Sequence, residues 1–300
     1  MGVFDFVDFV NLIALNLIIE FLETLEDEVG NVIIKKPATS GMKDRVTIVM
    51  QSHLDMVCQK NSDKTFDFDT QGIEMLIEGD WVTADGTTLG ADNGFGCATA
   101  LAVIGDNNIS HPPLELLFTT DEETGSSTSK DLIIKLSKGA DAVLVFEASL
   151  DGKVKTGRKG TAMYQIKVTG LAAHAGLEPE KGINATTEIA KLVLQISALE
   201  NPKFGTTAVP TVMKSGTTTN TVPAIATLDI DVRSFTSAEL ERIDKSIKNL
   251  KSDIAKVEIT GGINRPPLEE SSTIALYEKL EAVAASMGFA KIGSASVGGA

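Results

Sequence analysis

The chain has 300 residues, 43% of them hydrophobic, enough for one large domain or two ordinary ones, each with its own core. Its net charge of −14, with no cluster of lysine or arginine, argues against a nucleic acid or an anionic membrane as partner. Two cysteines, Cys58 and Cys97, neither in a C-x-x-C pair, exclude a disulfide framework and make a reducing compartment, the cytoplasm, the expected location.

Residues 4–21 are rich in Phe, Val, Leu and Ile, yet no basic residue precedes them and Asp5, Asp8 and Glu20 interrupt them. That pattern argues against a signal peptide or membrane span and predicts an amphipathic helix over residues 3–28, ending near Gly30. A short strand at 31–35 is expected to pair with the apolar run at 46–50 across a surface loop marked by Pro37 and Gly41. Residues 59–88 read as irregular, with hairpin strands at 73–76 and 81–83 around Glu78-Gly79-Asp80, and Trp81 is expected to pack. A helix at 95–104, a strand from 114, a helix at 129–136 and a strand at 142–146 follow in α/β alternation.

Beyond Gly160 the pattern changes. A half-exposed strand at 163–168, a helix at 184–199 with apolar spacing at Ile189, Leu192, Val193 and Ile196, strands at 208–214 and 226–233, a helix at 237–250 and a strand at 256–260 form an α+β unit over residues 160–265. A helix at 272–287 and a short strand from Lys291 then return to α/β character.

Three apolar runs of the first half end in an acid or a histidine. The run at 46–50 leads to His53 and Asp55, the run from Leu114 to Asp121-Glu122-Glu123, and the run at 142–146 to Glu147. Such runs read as buried strands of a mainly parallel sheet, whose ligands bind beyond the carboxyl ends of its strands. Asp92 lies just before the helix at 95–104. A histidine and carboxylates at one sheet edge are ligands for a divalent metal, zinc first. Glu147 also reads as an ordinary strand-end acid, His111 as an exposed loop residue and Cys58 as packed.

Four motifs, Ser52-His53-Leu54-Asp55-Met56, Gly90-Ala91-Asp92-Asn93-Gly94, Asp121-Glu122-Glu123-Thr124-Gly125 and Ala172-Ala173-His174-Ala175-Gly176, together resemble the M20 family of zinc peptidases and amidohydrolases. The first half is most similar to its cytosolic aminoacyl-histidine dipeptidase branch, and the second half to its glutamate carboxypeptidase and peptidase T-like members. The resemblance implies an α/β zinc-peptidase domain, made of residues 1–159 and 266–300, with an inserted lid and dimerisation domain at 160–265. It implies two divalent metals, zinc with cobalt or manganese as alternatives: His53 and Glu147 on one, Glu123 on the other, Asp92 bridging both, and a cis peptide after Asp92. Asp55 would orient His53, and Glu122 would be the general base. In the inserted domain His174, Asn220 and Arg233 would contact substrate, although His174 also reads as a turn residue and Arg233 as a partner of Asp231.

The family takes a last ligand from a histidine near its carboxyl end, after a glycine-rich segment. This chain stops at Gly298-Gly299-Ala300, inside that segment, and its histidines are His53, His111 and His174. The expectation is therefore a C-terminally truncated sequence, or a form whose second metal site lacks that ligand. The function implied is metal-dependent hydrolysis of a peptide bond in dipeptides or short peptides by a homodimer. An N-acyl amino acid amidohydrolase and a metal-binding homologue without turnover are the alternatives.

Overall fold

In a computed structural model, which describes residues 22–298, the apolar runs of the first half become the strands of one mixed sheet. Strands β1 (Glu23–Glu26), β2 (Val32–Lys36), β3 (Thr47–His53), β6 (Leu114–Thr119) and β7 (Ala140–Val145) lie in the order β1-β2-β6-β3-β7. β6, β3 and β7 are mutually parallel, while β1 and β2 run antiparallel at one side. Alternation along the strands sends adjacent side chains to opposite faces. Ile34, Met50, Leu116 and Phe118 meet Cys97, Ala100, Leu101 and Ile104 of helix α1 (Ala91–Gly105), and Ile33, Val49 and Leu117 meet Leu132, Ile133 and Leu136 of helix α2 (Lys130–Ser137). A sheet covered on both faces explains why these strands read as unbroken apolar runs. The Lys36 ammonium caps α1 by donating to the carbonyls of Ile104 and Asp106.

Several expectations need correction. Of the helix expected over residues 3–28, the part at 1–21 lies outside the described residues, and Glu23–Glu26 is a strand rather than helix. The turn that pairs it with β2 is closed by Asp27, whose carboxylate accepts from Val29 N (3.1 Å) and Asn31 N (2.9 Å), with Gly30 at φ +88°. β2 pairs with β6, not with the run at 46–50, because β6 inserts between them. The hairpin of β4 (Met75–Glu78) and β5 (Trp81–Ala84) forms, but Trp81 stands 76% exposed instead of packing, opposite Glu78 in a sheet of only two strands.

The described residues divide into two units, one ending at Ala148 and the other beginning at Ser149. The second holds a four-stranded antiparallel sheet, ordered β10 (Thr207–Ser215), β11 (Ile225–Ser234), β9 (Gly160–Thr169), β12 (Lys256–Arg265). Ala162, Tyr164, Ile166 and Val168 of β9 and Ala226, Leu228, Ile230 and Val232 of β11 are buried against helices α3 (Ala185–Ser197) and α4 (Ser237–Lys248). Ile189, Leu192 and Ile196 of α3 and Leu240, Ile243 and Ile247 of α4 supply the helical side of that core. Both helices start on side-chain caps: Asn184 accepts from Thr186 N and Thr187 N, and Thr236 accepts from Glu239 N. A strand the sequence did not announce, β8 (Val154–Arg158), pairs in parallel with β13 (Ser294–Val297), and helix α5 (Glu270–Ser286) packs on β8.

Candidate metal centre

The carboxyl ends of the parallel strands β3, β6 and β7 bring His53, the 121–123 turn and Glu147 to one edge of the first unit's sheet, and the head of α1 brings Asp92 to the same place. His53 is 1% exposed. Its Nδ1 lies 2.9 Å from the backbone carbonyl of Asp55, which can only accept, so Nδ1 carries the proton. Nε2 then faces Asp92 Oδ1 at 3.1 Å and Glu147 Oε1 at 3.8 Å. A bare ring nitrogen directed at carboxylate oxygens is repulsive unless a proton or a cation stands between them. Burial opposes the charged imidazole, but the Asp55 carbonyl and the carboxylates of Glu147, Asp55 and Glu122 outweigh it and raise the His53 pKa.

Two groups share this imidazole. His53, Asp92 and Glu147 form one, His53, Glu122 and Glu123 the other, and within each group the candidate ligand atoms lie within 4.8 Å of one another. Burial raises the Glu123 pKa, and although His53 pulls it down, Glu122, Asp92 and Asp55 add to the rise. An imidazole nitrogen facing several crowded carboxylate oxygens fits a divalent cation in its donor chemistry.

The His53 ring bonds to the backbone carbonyl of Asp55 rather than to its carboxylate, which lies 3.4 Å from Nδ1 and accepts from Glu122 N (3.1 Å) and Glu123 N (2.9 Å), fixing the turn that carries both glutamates. Asp121, which sequence reasoning left without a role, accepts from Thr128 N (2.7 Å) and Ser129 Oγ (2.5 Å). Although burial works against its charge, these donors hold its carboxyl below the usual aspartate value. The signal available was an acid followed within eight residues by Ser127, Thr128 and Ser129 at a helix start.

The Asp92–Asn93 peptide is cis, and both residues depart from helical φ/ψ at the head of α1. Cys97, one turn further along, is buried, and burial pushes its thiol up to about 12. Two expectations about neighbouring residues fail. Cys58 is exposed rather than packed. His111 is 4% exposed rather than a surface loop residue, because its backbone locks onto Thr39 and its Nδ1 onto the Pro112 carbonyl.

The remaining candidates belong to the second unit. His174 is exposed and its Nδ1 accepts from Gly176 N and Leu177 N, both at 3.2 Å, so Nε2 carries the proton and is free to donate. A bridge between His174 and Thr221 and a bond from Ala175 N to the Asn220 carbonyl (2.9 Å) set His174 beside the exposed Asn220. Arg233 holds Asp231 with Nε at 2.9 Å and Nη2 at 3.3 Å, the pairing that the sequence left open beside a substrate role.

The α/β unit thus gathers an imidazole and carboxylates beyond its parallel strands, and an α+β unit follows it in the same chain. Residues 156–258 match the family model of the M20 peptidase dimerisation domain. The chain is 34% identical over 251 residues to the cytosol non-specific dipeptidase of Escherichia coli, covering 78% of this chain and 50% of that relative. The chain thus spans half the length of that curated relative. Among solved structures, aminopeptidase PepT of Bacillus cereus superposes with a TM-score of 0.78 at 24% identity, over 98% of this chain and 79% of that one. The YxeP protein of Bacillus subtilis, described as a dinuclear metal-binding peptidase of the M20 family, gives 0.64 at 15% identity, over 98% and 76%. Residues 156–258 thus carry an M20 peptidase dimerisation domain, and the relatives and solved structures that the chain resembles are peptidases.

Proposed function

We propose that this protein is a metal-dependent exopeptidase or dipeptidase that hydrolyses a peptide bond next to a free terminus. The observation that carries the reading is the convergence of Asp92 and Glu147 on His53 Nε2, a donor set that fits a divalent cation. His53, Asp92, Glu123 and Glu147 would hold two divalent metals, zinc or alternatively cobalt or manganese. When bound, they would polarise the scissile carbonyl and acidify water.

The rest of the chemistry falls to the chain's own groups. Glu122, its backbone fixed on Asp55, takes the proton of the attacking water and hands it to the leaving amine. His174 donates from Nε2 to the developing oxyanion, and Asn220 beside it holds the substrate backbone. Arg233, its fork steadied by Asp231, binds a substrate carboxylate. Residues 160–265 serve as lid and dimerisation domain, inserted into a peptidase domain of residues 1–159 and 266–300, and the protein works as a cytoplasmic homodimer. Sedimentation of the purified chain as a monomer at micromolar concentration would contradict the dimer.

The test is a panel of free and N-acetylated dipeptides with zinc, cobalt or manganese added to the purified full chain. The expected result is release of amino acids from free dipeptides, abolished by a chelator. Turnover of the N-acetylated compounds alone would make the protein an amidohydrolase of N-acyl amino acids, and metal binding with no chelator-sensitive release of any product would overturn the enzymatic reading.

A further inference from the structure

Asn93 stands directly after the acid that faces His53, and it is 3% exposed. Its side-chain Nδ2 donates to the backbone carbonyl of Phe146, the residue directly before Glu147. Its Oδ1 is buried and has no hydrogen-bond partner among the described residues. Phe146 is held from the other side as well, since its backbone N–H donates to the carbonyl of Gln51 on β3 at 2.9 Å. The segments that carry the two carboxylates converging on His53 are therefore joined by the Asn93 side-chain amide.

The space for that amide is made by Gly96. A Cβ there would overlap Asn93 Oδ1, approach Phe146 Cβ to 2.7 Å and Ser52 Oγ to 3.0 Å. The helix forgoes a better helix former at this position, where the strand end and the Asn93 side chain crowd its backbone. An unpartnered buried amide oxygen is costly by itself, so the bond on the other side of the amide has to be worth keeping.

We infer that Asn93 is a positioning residue of the metal centre, its amide fixing Glu147 relative to Asp92 through the Phe146 carbonyl. It touches neither substrate nor metal. This inference rests on the metal-centre reading given above. Chemistry singles out the amide, because a carboxylate of the same shape would turn an acceptor toward the Phe146 carbonyl and lose the bond.

Cobalt(II) titration of the full-length protein, followed by its visible d–d absorption, tests this without reference to turnover. Wild type is expected to bind cobalt. Asn93→Ala and Asn93→Asp are expected to bind it about ten- to a hundred-fold more weakly, with a shifted absorption band because Glu147 no longer meets the ion in the same direction. Gly96→Ala is expected to act in the same direction as Asn93→Ala, although alanine favours a helix. Circular dichroism and melting of the metal-free proteins separate folding from positioning: a purely structural role lowers the melting temperature and leaves the band and affinity of the folded fraction unchanged. Should Asn93→Ala fail to fold, the nearly isosteric Asn93→Asp carries the comparison. A wild type that takes up no cobalt contradicts the metal centre itself, whereas a wild type that binds and folded variants with the same affinity and band overturn the role of Asn93 alone.

Discussion

Glu122 and Glu123 are neighbours whose backbone N–H groups both rest on Asp55, yet Glu122 is partly buried and Glu123 exposed. Ligand atoms of both nevertheless lie within 4.8 Å of each other and of a His53 ring nitrogen, and the proposed division makes Glu123 a ligand and Glu122 the base. The division gives a sharp expectation. Glu122→Gln should lower kcat about a hundred- to ten-thousand-fold while leaving the bound metal content unchanged, and Glu123→Gln should lower the metal content itself. Atomic absorption on the two purified variants checks both, and loss of metal in Glu122→Gln would reverse the roles. At this scale His53, Asp92, Glu122, Glu123 and Glu147 could be read from the sequence because each follows an apolar run or a glycine-rich turn. Asn93 and Asp121 could not, because what they do depends on the Phe146 carbonyl and on the Ser129 hydroxyl, contacts that no local pattern encodes. His111 departs from its expected exposure for the same reason, its burial coming from Thr39 on a distant stretch.

Periodicity carried most of the element-scale reading, since α3 and α4 present Ile189, Leu192 and Ile196, and Leu240, Ile243 and Ile247, to one core at helical spacing. It failed at β1, where Glu23-Thr24-Leu25-Glu26 contains three good helix formers and becomes strand where β2 offers it a partner. It failed also at β8, whose partner β13 lies far along the chain. Glu239 of α4 is buried and accepts from Arg242 Nη2 (2.8 Å) on the same helix and from Thr206 Oγ1 (3.0 Å), just before β10, which ties the helix to the sheet. The Arg242 hydrogen bond is the main cause that holds the Glu239 carboxyl below its ordinary value of 4.5, against the opposing effect of burial. A carboxyl depressed in the folded state contributes stability above its unfolded value and loses it as the pH falls through the folded value. Glu239→Gln should therefore cost about 1 to 2 kcal/mol at neutral pH, and the difference from wild type should shrink below about pH 4. Denaturant unfolding at pH 7 and pH 3.5 checks this, and a difference that stays constant or grows in acid would contradict it.

At the scale of the whole molecule, topology explains why residues so far apart in sequence can share one chemistry. β6, β3 and β7 run parallel, so the acids and the histidine that follow them all emerge on one edge of the sheet. Alternation of strand and helix announced that parallel core, whereas the order of strands, with β6 between β2 and β3, came only from pairing. In the second unit Arg233 is engaged with Asp231, and His174 offers a donor from Nε2, so substrate contacts proposed there are prepared by bonds within that unit. The central claim is that His53, Asp92, Glu123 and Glu147 surround divalent cations. An anomalous difference map from crystals of the full chain grown with zinc and collected at the zinc edge tests it most directly: the account predicts strong peaks in contact with His53 Nε2 and the carboxylates of Asp92 and Glu147, and a map with no peak there, or with peaks only on other residues, would contradict it.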